Sequence, residues 1–147
     1  MQNVPLLPAL RLVARRLQSL ENTESPSLGC GPGQARILEL VLRAPDITAT
    51  MVQEYLGLDR TTVSQAVRAL ADRGLLRRER CWYDGRILGL HPTAQAQTLA
   101  PLLEQQTAVL ARLLARGLAD DEIALLDALL GRIAAALDTE LRARRVR

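Results

Sequence analysis

"TATMVQEYLGLDRTTVSQAVRALADRGLL", residues 48–76, is the stretch on which the fold turns. Thr48 precedes a short apolar-periodic segment, so its hydroxyl predicts a capped helix carrying Val52 and Leu56 and ending near Leu56-Gly57. Asp59 predicts the cap of a second helix, about Arg60 to Arg73, with Val63, Val67 and Leu70 on one face and Gly74 as a left-handed stop. Two short helices joined through Gly57-Leu58 make a helix-turn-helix, whose second helix can lie in a DNA major groove. On its outward side stand Arg60, Thr61, Thr62, Ser64, Gln65 and Arg68, all donors or acceptors. Arg takes two bonds from guanine and Gln pairs with adenine, whereas hydroxyls near a helix start suit phosphate. Any single one of these residues could equally cap or solvate a helix; their combination ahead of a hairpin is what carries the reading.

The hairpin comes next. Leu75–Arg80 and Arg86–Leu90 read as two short strands, and Asp84-Gly85 is a turn signal inside a tip that can exceed two residues. The tip holds Trp82 and Tyr83, two of only three aromatic residues in the chain. We expect Trp82 to fold back over the strands as a cover, in preference to touching phosphate or sugar. Upstream, Leu6, Leu7, Leu10, Val13, Ala14, Leu17 and Leu20 recur at helical spacing. Glu21–Gly33 then reads as a loop, and a helix from Gln34 to about Arg43 stops at Ala44-Pro45. Downstream, Thr93 predicts the cap of a long helix reaching about Arg116, with Gly117 ending it. Asp120 predicts the cap of the last helix, which has Asp121 and Glu122 at its positive end.

Composition agrees with this layout. In 147 residues, 48% are hydrophobic and 2% aromatic, a balance that favours packed helices over a β-sandwich. The fold class expected is mainly α with a small β part. Leu102, Leu103, Leu110, Leu113 and Leu114, then Ile123, Leu126, Leu129, Leu130, Ile133 and Leu137, exceed what one compact unit needs. Such a surplus marks an association surface, so a symmetric homodimer is expected. The net charge is +3, and all 19 basic residues are arginine. Arg forks suit phosphate and guanine edges, although genome base composition also produces an Arg bias. No secretory leader and no membrane-length apolar run is evident, so the expected location is the cytoplasm.

The chain resembles the MarR family of bacterial winged helix-turn-helix transcription regulators. The likeness is carried by "LGLDRTTVSQAVRALADRGLL", Arg77-Arg78, Asp84-Gly85-Arg86 and Thr93, within roughly residues 47–100. Gly74-Leu75, Asp84, Arg86 and Thr93 fall on the family pattern without gaps; Pro92 replaces its Leu and Ala96 its Gly. The resemblance implies a single domain over 1–147, with a winged helix-turn-helix at 34–92 and dimerisation helices at 4–21 and 94–143. It also implies a homodimeric repressor of a pseudo-palindromic operator in double-stranded DNA, and a small-molecule effector pocket between the dimer helices and the winged part. The wing would place Arg86 in the minor groove with Asp84 orienting it, and Arg77 and Arg78 are further candidate DNA-binding residues.

Other chemistries are poorly provided for. "GCGPGQAR", residues 29–36, resembles a phosphate-cradling loop, but the chain has no Lys for one. Cys30, Cys81 and the lone His91 match no metal spacing, so no cofactor is expected. His91 reads as a surface residue ahead of a helix. Cys30, near a helix start that lowers a thiol pKa, and Cys81, in the wing, are candidate redox residues, with inert thiols the competing reading. No nucleophile, base and orienter come together, so no enzyme is expected. The rival to DNA binding is a winged helix that docks on another regulator. Arg68, Arg73, Arg77, Arg78, Arg80 and Arg86 favour DNA.

Overall fold

The computed structural model describes residues 5–24 and 29–145. Position 4, the expected start of the first dimerisation helix, and loop positions 25–28 lie outside them. The elements in order are α1 (Leu6–Glu24), α2 (Pro32–Arg43), β1 (Ile47–Thr48), α3 (Ala49–Leu56), α4 (Arg60–Asp72), β2 (Leu76–Arg80), β3 (Leu88–Pro92), α5 (Ala94–Ala115) and α6 (Asp120–Arg145). This is the mainly helical, winged architecture that the sequence implies. The chain divides into two compact units at Ala108–Val109, a boundary inside α5. Among the described residues no helix is long and apolar enough to cross a membrane.

The first unit holds the core. Val63, Val67 and Leu70 of α4 are fully buried, together with Ile37, Leu38 and Val41 of α2 and Val52 of α3. Burying each such side chain is worth roughly 1.5–3 kcal/mol, so the apolar stripe of α4 anchors that helix and leaves its polar side outward. The anticipated caps are present. Thr48 Oγ1 accepts the Met51 N–H at 3.2 Å, and Gly57 takes φ 64° to end α3. Thr93 Oγ1 accepts the Ala96 N–H at 3.2 Å while its hydroxyl donates to the Gly74 carbonyl at 2.7 Å, tying the start of α5 to the end of α4.

Several boundaries differ from expectation. α1 continues through Glu21–Glu24, which the loop reading had cut short. α2 begins at Pro32, because proline at a first helical position has its φ preset and no amide hydrogen to lose. Asp120 is the first helical residue of α6 rather than its cap. The cap position is Ala119, whose N–H donates to Glu122 Oε2 at 2.8 Å, half of a capping box.

The sheet has three antiparallel strands in the order β1-β3-β2. β1 was not anticipated: it is two residues long, with Ile47 opposite Leu90 and Thr48 opposite Gly89. It forms because Asp46, at φ 74°, turns the chain so that its N–H donates to the Leu90 carbonyl at 3.0 Å. β2 and β3 pair from Leu76 opposite Pro92 to Arg80 opposite Leu88.

In the second unit, α6 exposes nearly all of its apolar residues, among them Leu125, Leu126, Leu129, Leu130, Leu137 and Leu141. In the first unit, α1 exposes Leu6, Leu7, Leu12, Val13 and Leu20.

Candidate nucleic-acid interface

The start of α4 is pinned by Asp59. One carboxylate oxygen accepts the Thr62 N–H at 2.9 Å, and the other accepts the Thr62 hydroxyl at 2.6 Å. These bonds, the hydroxyl's first, hold the Asp59 pKa below its ordinary value. Thr62, read as a candidate contact, therefore commits its hydroxyl hydrogen to the cap. Thr61, Ser64, Gln65 and Arg68 are all exposed on α4. Thr61, Gln65 and Arg68 are spaced by four and three residues, one row along a helix.

Arg60 and Ser64 turn toward the wing. They line a cleft of about 380 Å³ with Thr50 and Gln53 of α3, Arg78 of β2, and an apolar floor that includes Val67, Leu88 and Leu90. Two guanidiniums, hydroxyls and a primary amide thus converge at one place. Thr50 and Gln53 were missed in the sequence, because their positions on α3 show no periodicity that would point them at a wing strand.

Strand register separates the two arginines that sequence reading grouped. Arg78 and Arg80 stand opposite Leu90 and Leu88, on the cleft side. Arg77 alternates to the other face, where its Nε pairs with a Glu79 carboxylate oxygen.

The tip is the seven-residue connection 81–87. Cys81 N–H donates to the Ile87 carbonyl at 2.9 Å, and Ile87 N–H donates to the Asp84 carbonyl at 3.0 Å. Asp84 Oδ1 accepts the Arg86 backbone N–H at 2.9 Å. Asp84 thus shapes the turn rather than holding the Arg86 guanidinium, which corrects the orienting role that the resemblance implied. The brace on the loop is Arg80, whose Nη1 donates to the Gly85 carbonyl. Trp82 does not fold back: it is 89% exposed and meets Tyr83 edge to face, with ring centroids 5.7 Å apart. The strand face that it was expected to cover already carries Arg78 and Arg80.

Both thiols are buried, and burial pushes each pKa up. Beside Cys30, Arg73 pulls the other way without overcoming the desolvation. This favours the inert-thiol reading of Cys30 over activation by the start of α2. At Cys81, burial is again the largest cause, with the Asp46 carboxylate adding to it. His91 is likewise not a surface residue: its Nε2 lies 3.2 Å from Asp46 Oδ1, and both side chains are mostly buried.

A sequence profile of the MarR family matches residues 28–87. The uncharacterized HTH-type transcriptional regulator YybA of Bacillus subtilis is 27% identical over 128 residues, 87% of this chain and 85% of its own. Two solved structures from Listeria monocytogenes are similar throughout. One is a MarR-family transcriptional regulator complexed with a 26mer DNA, with a TM-score of 0.87 and 25% identity over 99% of this chain and 96% of that one. The other is a SlyA-like transcription regulator, with a TM-score of 0.84 and 25% identity over the same shares. The profile covers the helix-turn-helix and the wing tip, and the similar structures extend through the flanking helices. The chain is thus similar to MarR-family transcription regulators in sequence across the helix-turn-helix and wing, and in fold through the flanking helices.

Proposed function

We propose that this protein is a cytoplasmic homodimer that binds a pseudo-palindromic operator in double-stranded DNA and acts as a repressor. The observation that carries the reading is the cleft in which Arg60, Ser64 and Arg78 converge beside the exposed row of α4. In this reading the winged part spans residues 34–92 and α4 lies in the major groove. Thr61, Gln65 and Arg68 meet base edges; Arg60, Ser64 and Arg78 hold the phosphate ridge; the wing carries Arg86 toward the adjacent minor groove.

A titration with duplex at several salt concentrations tests this. Phosphate contacts release counterions, so the logarithm of affinity falls by about 0.9 per contact for each decade of salt. A shallow slope, with capture of a protein partner instead, favours docking on another regulator. Within the same titration Gln65→Ala is expected to relax discrimination at particular operator positions, by about 1–3 kcal/mol per base pair. Ser64→Ala is expected to weaken every sequence by a similar factor. If Gln65→Ala lowers affinity uniformly, with the ranking of variants preserved, α4 is docked in another orientation.

Dimerisation rests on the apolar residues that α1 and α6 expose. A helix such as α6, with leucines open to water along its length, is stable when a second chain covers them. Dimerisation helices at 4–21 and 94–143 are part of this reading. Sedimentation at micromolar concentration is expected to give a dimer; a well-folded monomer there removes the proposal.

A further inference from the structure

The wing tip presents an apolar feature that the fold does not use. Trp82 is the chain's one tryptophan, and at 89% exposed it contributes nothing to the core. Its neighbours keep it in that position. Tyr83 meets it edge to face, and the Tyr83 hydroxyl interacts with the buried Cys81 thiol at the base of the loop. Arg80 braces the Gly85 carbonyl, and the Asp84 carboxylate holds the Arg86 amide. The indole is therefore carried on a closed loop with an arginine on either side.

An exposed indole on a loop flanked in sequence by Arg80 and Arg86 fits a surface that is apolar in the middle and anionic at its rims. The minor groove of duplex DNA is such a surface, with deoxyribose walls between two phosphate ridges. That groove is about 6 Å wide, too narrow for two perpendicular rings whose centroids lie 5.7 Å apart. One ring can face the wall while the other backs it. Trp82 is the more exposed of the two, Tyr83 being 53% exposed, and Tyr83 is the one tied to the loop base.

We propose that Trp82 is a DNA-contacting residue that packs on the deoxyribose wall of the minor groove, with Tyr83 as its support. This rests on the duplex-binding reading above and adds a sequence-tolerant apolar contact to it. Because no charge is involved, the contact contributes affinity without adding to the salt dependence.

The test uses the full-length protein and a duplex enriched from a random pool by the wild type. Trp82 emission is followed with a neutral quencher, and affinities of Trp82→Ala and Trp82→Phe are measured with labelled duplex. Bound duplex is expected to shield Trp82 from the quencher. Trp82→Ala is expected to bind on the order of 10-fold more weakly, as for an aromatic anchor truncated at an interface, with an unchanged salt slope. Trp82→Phe should recover most of the loss. Thermal melts should coincide for all three proteins, since the side chain is outside the core. If duplex binds with a steep salt slope but Trp82 stays accessible, or if Trp82→Ala binds as wild type does, the contact is refuted and the DNA-binding reading stands. If the wild type binds no duplex, both fall.

Discussion

Gly89→Ala is expected to destabilise the protein by about 2–3 kcal/mol, the upper part of the range for overpacking a filled site. A Cβ at position 89 would lie 2.1 Å from Asp46 Oδ1, 3.0 Å from the Asp46 carbonyl oxygen and 3.1 Å from its Cα. The carboxylate oxygen can swing away, but doing so breaks its contact with His91. The carbonyl oxygen and Cα are backbone, and the Asp46 amide is already bonded to Leu90. Relief therefore requires β1 to move off β3. A domain of this size is typically stable by 5–15 kcal/mol, so the loss is a large fraction of the total. Urea unfolding checks it: the midpoint should fall, with the slope unchanged. A wild-type midpoint would mean that the segment before β1 yields freely, and that the close approach of Asp46 to β3 is not a constraint on the fold.

The joint substitution Arg60→Ala, Arg78→Ala is expected to weaken operator binding on the order of 100-fold while leaving the melt unchanged. Both arginines are exposed, and both line the cleft between α4 and the wing. If each neutralises one phosphate, losing both should reduce the salt slope by about 2. Losses of about 1.4 kcal/mol at each position correspond to tenfold apiece. Arg77→Ala is the internal control. Arg77 is on the opposite strand face, paired with Glu79, so its removal should change affinity much less. Filter binding of the wild type, the double variant, Arg77→Ala and Arg78→Ala at several salt concentrations measures both quantities. An unchanged slope in the double variant would show that the cleft does not hold phosphate. Equal effects at Arg77 and Arg78 would show that the wing meets DNA edge-on, so that strand face does not matter.

Much of this architecture follows from local chemistry. Thr48, Asp59 and Thr93 cap their helices because a short side-chain oxygen reaches a free amide three residues on, whatever the rest of the chain does. Gly57, Gly74 and Gly117 end helices at positive φ because a glycine has no Cβ to obstruct that turn. The inward face of α4 is readable from period alone. So are the family pattern across α4 and the wing, and the outward row of Thr61, Gln65 and Arg68. All of these depend on neighbours within a few residues.

What the tertiary structure decided depends on residues far apart in the chain. β1 exists because Gly89 admits Asp46, 43 positions before it in the sequence; no local propensity marks Ile47-Thr48 as a strand. The burial of His91 against Asp46 has the same origin. Arg77 and Arg78 are adjacent in sequence but fall on opposite faces, because the register of β2 on β3 assigns each side chain to one side. Thr50 and Gln53 join Arg60 and Arg78 only once α3, α4 and the wing are packed together. The direction of Trp82 is of this kind as well: whether an aromatic side chain covers a sheet or leaves it depends on what that face already carries, and here it carries Arg78 and Arg80. Local sequence determines where elements start, stop and turn polar; long-range packing determines which side chains meet, because that is where contacts between distant residues are formed.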